Sequence, residues 1–188
     1  EADGPYLVWA PEHTEQGDPR GELMSLQLFE KQAALAPAQL EQLRLLQSKH
    51  RDRLLGAIAP AVVNAVFERG VAVHVELGRD WGGPQPGAAE WAAVRGVTLP
   101  EQHYGAEWPR LLAALPSLRT VMRATPDLLT ALHALSPGLT LEHVLLEESW
   151  NPPQALALPI THLATRDLAL AGLLRTHEGK SVTLEASD

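Results

Sequence analysis

The sequence predicts an α/β protein: an N-terminal helical cap over residues 1–70, then an irregular array over residues 71–188 whose short strands form a parallel sheet. Three observations carry that reading. An apolar pattern recurs at near-constant spacing from residue 72 onward, leucine-rich helical stretches lie between its copies, and two amphipathic segments with capping signals occupy the front third.

The recurring pattern is apolar, two variable, apolar, one variable, apolar. It runs as Ala72 to Leu77, Val94 to Leu99, Leu118 to Arg123 and Leu141 to Leu146, with weaker copies at Ile160 to Thr165 and Gly179 to Leu184. The central positions are Val75, Val97, Val121, Val144, Leu163 and Val182, at intervals of 22, 24, 23, 19 and 19 residues. That is within or just below the roughly 20–29 residue period of leucine-rich repeats. Each copy therefore predicts one strand of a leucine-rich-repeat-like solenoid, with alternate side chains turned inward. Five of the six central residues are Val, a β-branched type suited to strands. Stretches such as Trp108 to Leu115 and Asp127 to Leu132 would close the other side of the core. The copies are irregular. Arg123 and Thr165 occupy apolar slots, Gly179 opens the last copy, and the asparagine that many such repeats carry after the strand is missing. The loop Asp80 to Gly87 reads as a surface excursion.

In the front third, Asp18 can cap a helix that Pro19 opens, because proline has no N–H to leave unpaired. Leu23, Leu26, Phe29, Ala33 and Leu35 supply its apolar side, and Pro37 breaks it. A second helix is expected from about Ala38 to Leu55, buried through Leu40, Leu43, Leu46, Leu54 and Leu55 and stopped at Gly56. Val62 to Phe67 is a short apolar piece ending at Arg69-Gly70. Two such helices alone bury too little surface and need a partner to pack on.

Tyr6-Leu7-Val8-Trp9-Ala10, followed by Gly17-Asp18-Pro19-Arg20-Gly21-Glu22, resembles the bacterial repeat-companion domain. That is a helical module found ahead of leucine-rich-repeat-like regions in myxobacterial and planctomycete proteins. Phe67-Glu68-Arg69-Gly70-Val71 is similar to that family's entry into its first strand, whereas Pro11-Glu12-His13 stands where the family has Asp-Trp-Leu. The resemblance covers about residues 3–77. It implies a cap for a solenoid and a part in protein–protein contacts, and it implies no enzymatic activity.

With 45% apolar residues the chain has material for a core. A net charge of −8 argues against nucleic acid or an anionic membrane as partner, since both reward clustered Lys and Arg. The absence of cysteine removes disulfides and thiolate chemistry and fits a cytoplasmic location. No apolar run approaches the ~20 residues of a membrane span. The first residues lack a signal peptide's features and an initiator Met, which points to a processed or trimmed start.

Solenoids bind through the surface their strands form. Here that surface comprises His74, Glu76, Arg95, Thr98, Arg119, Thr120, Met122, Glu142, His143, Leu145, Thr161, His162, Ala164, Lys180 and Thr183, with Trp81, Trp91, Trp108 and Trp150 as flanking candidates, against which stands buried packing, the more usual fate of a Trp in so small a protein. A polar rim around apolar Met122 and Leu145 is how a moderate protein interface is built. His74, His143 and His162 share one repeat position and should form an exposed stripe. His143 and His162 could approach a common zinc ion, but a site needs a third or fourth ligand, and a polar stripe is the preferred reading.

No nucleophile elbow, phosphate loop or metalloprotease helix is present. His50-Arg51-Asp52 and Glu147-Glu148 read as solvated surface, and Gly17 to Gly21 as a capping turn in preference to an anion site. The expectation is a non-catalytic protein–protein interaction module without cofactor, whose partner is another protein. The alternatives are a structural subunit that self-associates through an exposed C-terminal repeat edge and, last, a metal-dependent enzyme using the His stripe.

Overall fold

The structure is a computed structural model that describes residues 4–84, 88–101, 107–146, 160–165 and 181–184, the last two segments by their backbone. The described residues form an α/β fold of six helices and one mixed sheet. In chain order these are α1 (Gly4–Glu15), α2 (Pro19–Gln32), α3 (Pro37–Lys49), α4 (Arg51–Leu55), β1 (Val62–Glu68), β2 (Val71–Leu77), β3 (Gly96–Thr98), α5 (Trp108–Ala113), β4 (Thr120–Ala124), α6 (Pro126–Leu135), β5 (Leu141–Leu146), β6 (Ile160–Thr165) and β7 (Ser181–Leu184).

The strands lie side by side in chain order. Strands β1 and β2 pair antiparallel, and every later pair is parallel. The register sets Val75 opposite Val97, then Val121, Val144, Leu163 and Val182. The first three side chains of this row are fully buried and Val144 is 2% exposed. Two further inward rows flank it. Ala72, Val94, Leu118 and Leu141 form one, and Leu77, Leu99 and Ala124 form the other. On the far side Leu112 of α5 and Leu129 and Leu132 of α6 close the same core.

Arg123 breaks the apolar pattern, and the backbone accounts for it. The residue takes φ 60°, and the β4–β5 register slips between Met122 and Ala124. One extra residue is thereby placed in the strand, as in a bulge. Ala124 drops into the inward slot with no exposure, while Arg123 turns out to Glu76 at 3.1 Å and the Leu99 carbonyl at 3.3 Å.

The front third departs from the expected helical hairpin in four ways. Tyr6 to Ala10 is already helical, inside α1. Gly21 lets α2 cross that helix closely, since a Cβ there would collide with the Ala10 carbonyl and the Thr14 backbone. The second helix is broken at His50, which allows Leu54 and Leu55 of α4 to bury fully while α3 lies further out with Leu40 exposed. Leu23 and Leu26 of α2 are buried as expected, but the inner side also takes in Met24 and Leu28 and leaves Phe29 45% exposed, because that helix packs between α1 and the β1–β2 hairpin. Finally, Val62 to Phe67 is a strand, so the sheet begins inside the region read as a helical cap and is mixed where a parallel one was expected.

The hairpin turn is Arg69-Gly70, with φ 49° and 76°. Two consecutive positive φ values make a type I′ turn, whose twist matches that of the flanking strands. Gln27 of α2 clamps it. Its amide nitrogen donates to the Phe67 carbonyl at 2.6 Å, and its amide oxygen accepts from the Gly70 N–H at 3.0 Å.

Candidate functional site

Three further rows cross the sheet: one at the strand entries, where Arg95, Arg119 and Glu142 are partly or well exposed and Val73 is buried, and two that strand alternation places on either side of the buried central row. The first runs through Val73, Arg95, Arg119 and Glu142, joined by backbone bonds from Arg95 N–H to the Val73 carbonyl, Arg119 N–H to Arg95, and Glu142 N–H to Arg119, at 2.8, 2.7 and 2.7 Å. The second sets His74 opposite Gly96, Thr120, His143, His162 and Ser181. The third sets Glu76 opposite Thr98, Met122, Leu145, Ala164 and Thr183. The sheet therefore brings together the predicted face from His74 to Leu145. For Thr161, His162, Ala164 and Thr183 only strand position is described, and Lys180, Glu147, Glu148 and Trp150 lie outside the described residues.

Ion pairs run across the face. Arg95 pairs with Glu68 at 2.6 Å, Arg123 with Glu76 at 3.1 Å, and Arg119 loosely with Glu142 at 3.6 Å. All are partly or well exposed, so each contributes at most about 1 kcal/mol. Their effect is to hold long side chains in place along the face.

His74 corrects the expectation of an exposed histidine stripe. Its ring lies over Gly96, where a Cβ would overlap the imidazole, and its Nε2 shares a 2.8 Å hydrogen bond with the Thr98 hydroxyl. Burial pushes the His74 pKa down, partly opposed by the carboxylate of Glu76. His143 is exposed, and it sits opposite His162 in register. Among the described residues no three His, Asp or Glu side chains gather as a metal would require.

The N-terminal half of the face is hollowed into an open groove of about 710 Å³. The small residues Ala92, Ala93 and Ser117 leave its floor low, the His74 ring covers Gly96, and Arg95, Arg119 and Glu142 line it. Tyr6 of α1 and Arg69 of the hairpin turn close one end, with the guanidinium 5.0 Å from the ring centroid, within cation–π range. Tyr6, Glu68 and Arg69 were missed by sequence reasoning because they precede the first repeat. The available signal was the short apolar run ending in Arg-Gly, which reads as a strand once Arg69 is allowed a positive φ.

Several other candidate residues hold the fold together. Trp81, Trp91 and Trp108 do not flank the face. They are 5%, 2% and 4% exposed and stack in the core, with centroids 5.5 Å apart for the pairs Trp81–Trp91 and Trp81–Trp108. Trp81 thereby ties the start of the loop after β2 into the interior. Arg51 donates to the Val62 carbonyl and to Asp52. In the Gly17 to Gly21 turn, Asp18 accepts from the Arg20 N–H at 3.0 Å. The Arg20 side chain reaches the Arg53 and Leu54 carbonyls, both at 3.3 Å, at the end of α4. A cation at a helix C-terminus satisfies such carbonyls, so this motif is spent on structure.

Among the described residues no helix is long and apolar enough to cross a membrane. Comparison of the chain with family models, with curated proteins and with solved structures finds no match.

Proposed function

We propose that the protein is a non-catalytic interaction module of the cytoplasm. In this reading an irregular leucine-rich-repeat-like solenoid, capped by a repeat-companion-like helical region, binds another protein through its outward strand face. The observation that carries it is the in-register outward surface, from His74 and Glu76 to His143 and Leu145, presented by strands that follow one another in chain order. Met122 and Leu145 are half-buried beside charged neighbours, the pattern of an apolar centre with a polar rim. The cap reading draws support from the Gly-Asp-Pro-Arg-Gly turn, in which Asp18, Pro19, Arg20 and Gly21 each serve the packing of α1, α2 and α4.

The test is affinity capture with the full chain and with a variant carrying Arg119→Glu and Glu142→Arg. Both side chains are about half exposed, so their reversal leaves the fold intact and should abolish capture of the partner that the native chain retains. Equal capture by the two proteins would overturn the reading.

Self-association through the C-terminal strand edge is the second reading. It is favoured by one observation: β7 ends the sheet order, paired with β6 alone among the described residues. The last strand of a sheet can offer its backbone groups to another strand. Light scattering over a range of concentrations tests it, and a strict monomer rejects it.

A further inference from the structure

We infer that His74 is a proton-operated plug in the outward face: the neutral ring fills the place over Gly96, and protonation at Nδ1 drives the ring out and bares that part of the sheet. The movement needs no partner and so stands apart from the interaction-module reading.

The two ring nitrogens meet different surroundings. Nε2 shares its 2.8 Å hydrogen bond with the Thr98 hydroxyl, which can donate or accept. Nδ1 is the ring atom nearest the place where a Cβ on residue 96 would stand. It is therefore turned toward the hydrogen that Gly96 carries on Cα in place of a side chain. A nitrogen lone pair suits that position, because a Cα–H is a weak donor. An N–H does not, because a Cα–H offers nothing to accept it. The contact assigns the proton of the neutral ring to Nε2, with the Thr98 oxygen accepting. A second proton must then enter at Nδ1, where it points into the Gly96 methylene. Glycine is what makes the plug possible, since a side chain at this position would hold the ring off in both protonation states.

The surroundings give an imidazolium little to hold it. On β1 the residue opposite His74 is the apolar Val66. On β3 and β4 the neighbours Thr98 and Thr120 are uncharged. The anion on its own strand is Glu76, and Arg123 already holds that carboxylate at 3.1 Å. Further along the groove, Glu68 is taken by Arg95 at 2.6 Å, and Arg119 approaches Glu142 at 3.6 Å. Arg69 lies over the Tyr6 ring, and His143, two strands on from Gly96, is exposed. Burial disfavours the charged ring more than Glu76 favours it. Rotation to another staggered χ1 carries the imidazolium into water on the open side of the sheet and uncovers Gly96 and Thr98.

The experiment is NMR on the full 188-residue chain, isotopically labelled in its histidine rings, as the pH is lowered from neutral until the His74 ring is fully protonated. Ring nitrogen shifts report which nitrogen carries the proton. The nuclear Overhauser effect between the ring and the Gly96 Cα hydrogens reports whether the ring is in place. The expected result is a neutral ring protonated at Nε2 and a titration midpoint below the ordinary 6.5. The Overhauser contact is lost with that same midpoint, while the near-ultraviolet circular dichroism of the packed tryptophans is unchanged. Glu76→Gln moves both midpoints down together, because it removes the group that favours the charged ring. A contact that survives full protonation overturns the plug, and so does a neutral ring that carries its proton at Nδ1. Loss of the contact only together with the tryptophan signal overturns it as well, since the ring would then move only when the whole core unfolds.

Discussion

The imidazole of His74 lies directly over Gly96, the residue opposite it on β3, and shares a 2.8 Å hydrogen bond with Thr98 on the same strand. The absent side chain at residue 96 is what gives the ring its place. Gly96→Ala should therefore displace His74, open the groove floor and lower stability by about 1–3 kcal/mol, the usual cost of overpacking. Urea denaturation measures it. A variant as stable as the native protein, with the His74 ring resonances unmoved, would show that the ring has room to spare.

The same burial makes His74 a source of pH dependence. Its folded pKa lies below the ordinary 6.5, so between those two values the unfolded chain binds more proton than the folded one. Stability from this residue is complete above 6.5, declines as pH falls toward the folded pKa, and levels off below it. Glu76 opposes the shift, so its replacement by Gln should enlarge the effect. The native protein should lose stability relative to His74→Gln as pH is lowered from 7.5 into the acid side of this window. A constant difference across that range would count against the assignment.

Gln27 holds the hairpin turn with both ends of its amide, at Phe67 and Gly70. Truncation to Ala leaves one partly buried carbonyl and one N–H without these partners, a loss of about 1–3 kcal/mol. Hydrogen exchange followed by mass spectrometry should show faster exchange in the peptide spanning residues 62–77 and little change in β4. Uniform protection in both proteins would mean that the strands themselves set the turn.

Arg123 separates backbone from side chain. At φ 60° a glycine is unstrained, so Arg123→Gly exchanges relief of strain for loss of a partly exposed ion pair and should change stability by less than about 1 kcal/mol. A β-branched residue cannot adopt that φ cheaply, and Arg123→Val should cost about 1–3 kcal/mol even though valine restores the apolar pattern. Thermal unfolding of the two variants side by side checks this, and a valine variant more stable than the glycine one would refute the bulge.

The amino-acid sequence by itself determined the ladder. An apolar residue every 19 to 24 positions was enough to set Val75, Val97, Val121, Val144, Leu163 and Val182 opposite one another, because strand alternation and a shared interior leave few other registers. It determined the Asp18-Pro19 helix start for the same kind of reason: the rule acts within a few residues. What needed the tertiary structure depends on contacts between distant segments. Arg69 accepts a positive φ because the hairpin docks on α2, Arg123 does so because Ala124 completes the core, and three tryptophans leave the candidate surface because they find one another. The groove belongs to this second group. Tyr6, Glu68, Arg95, Arg119 and Glu142 span five separate segments, and folding the chain is what lines them up.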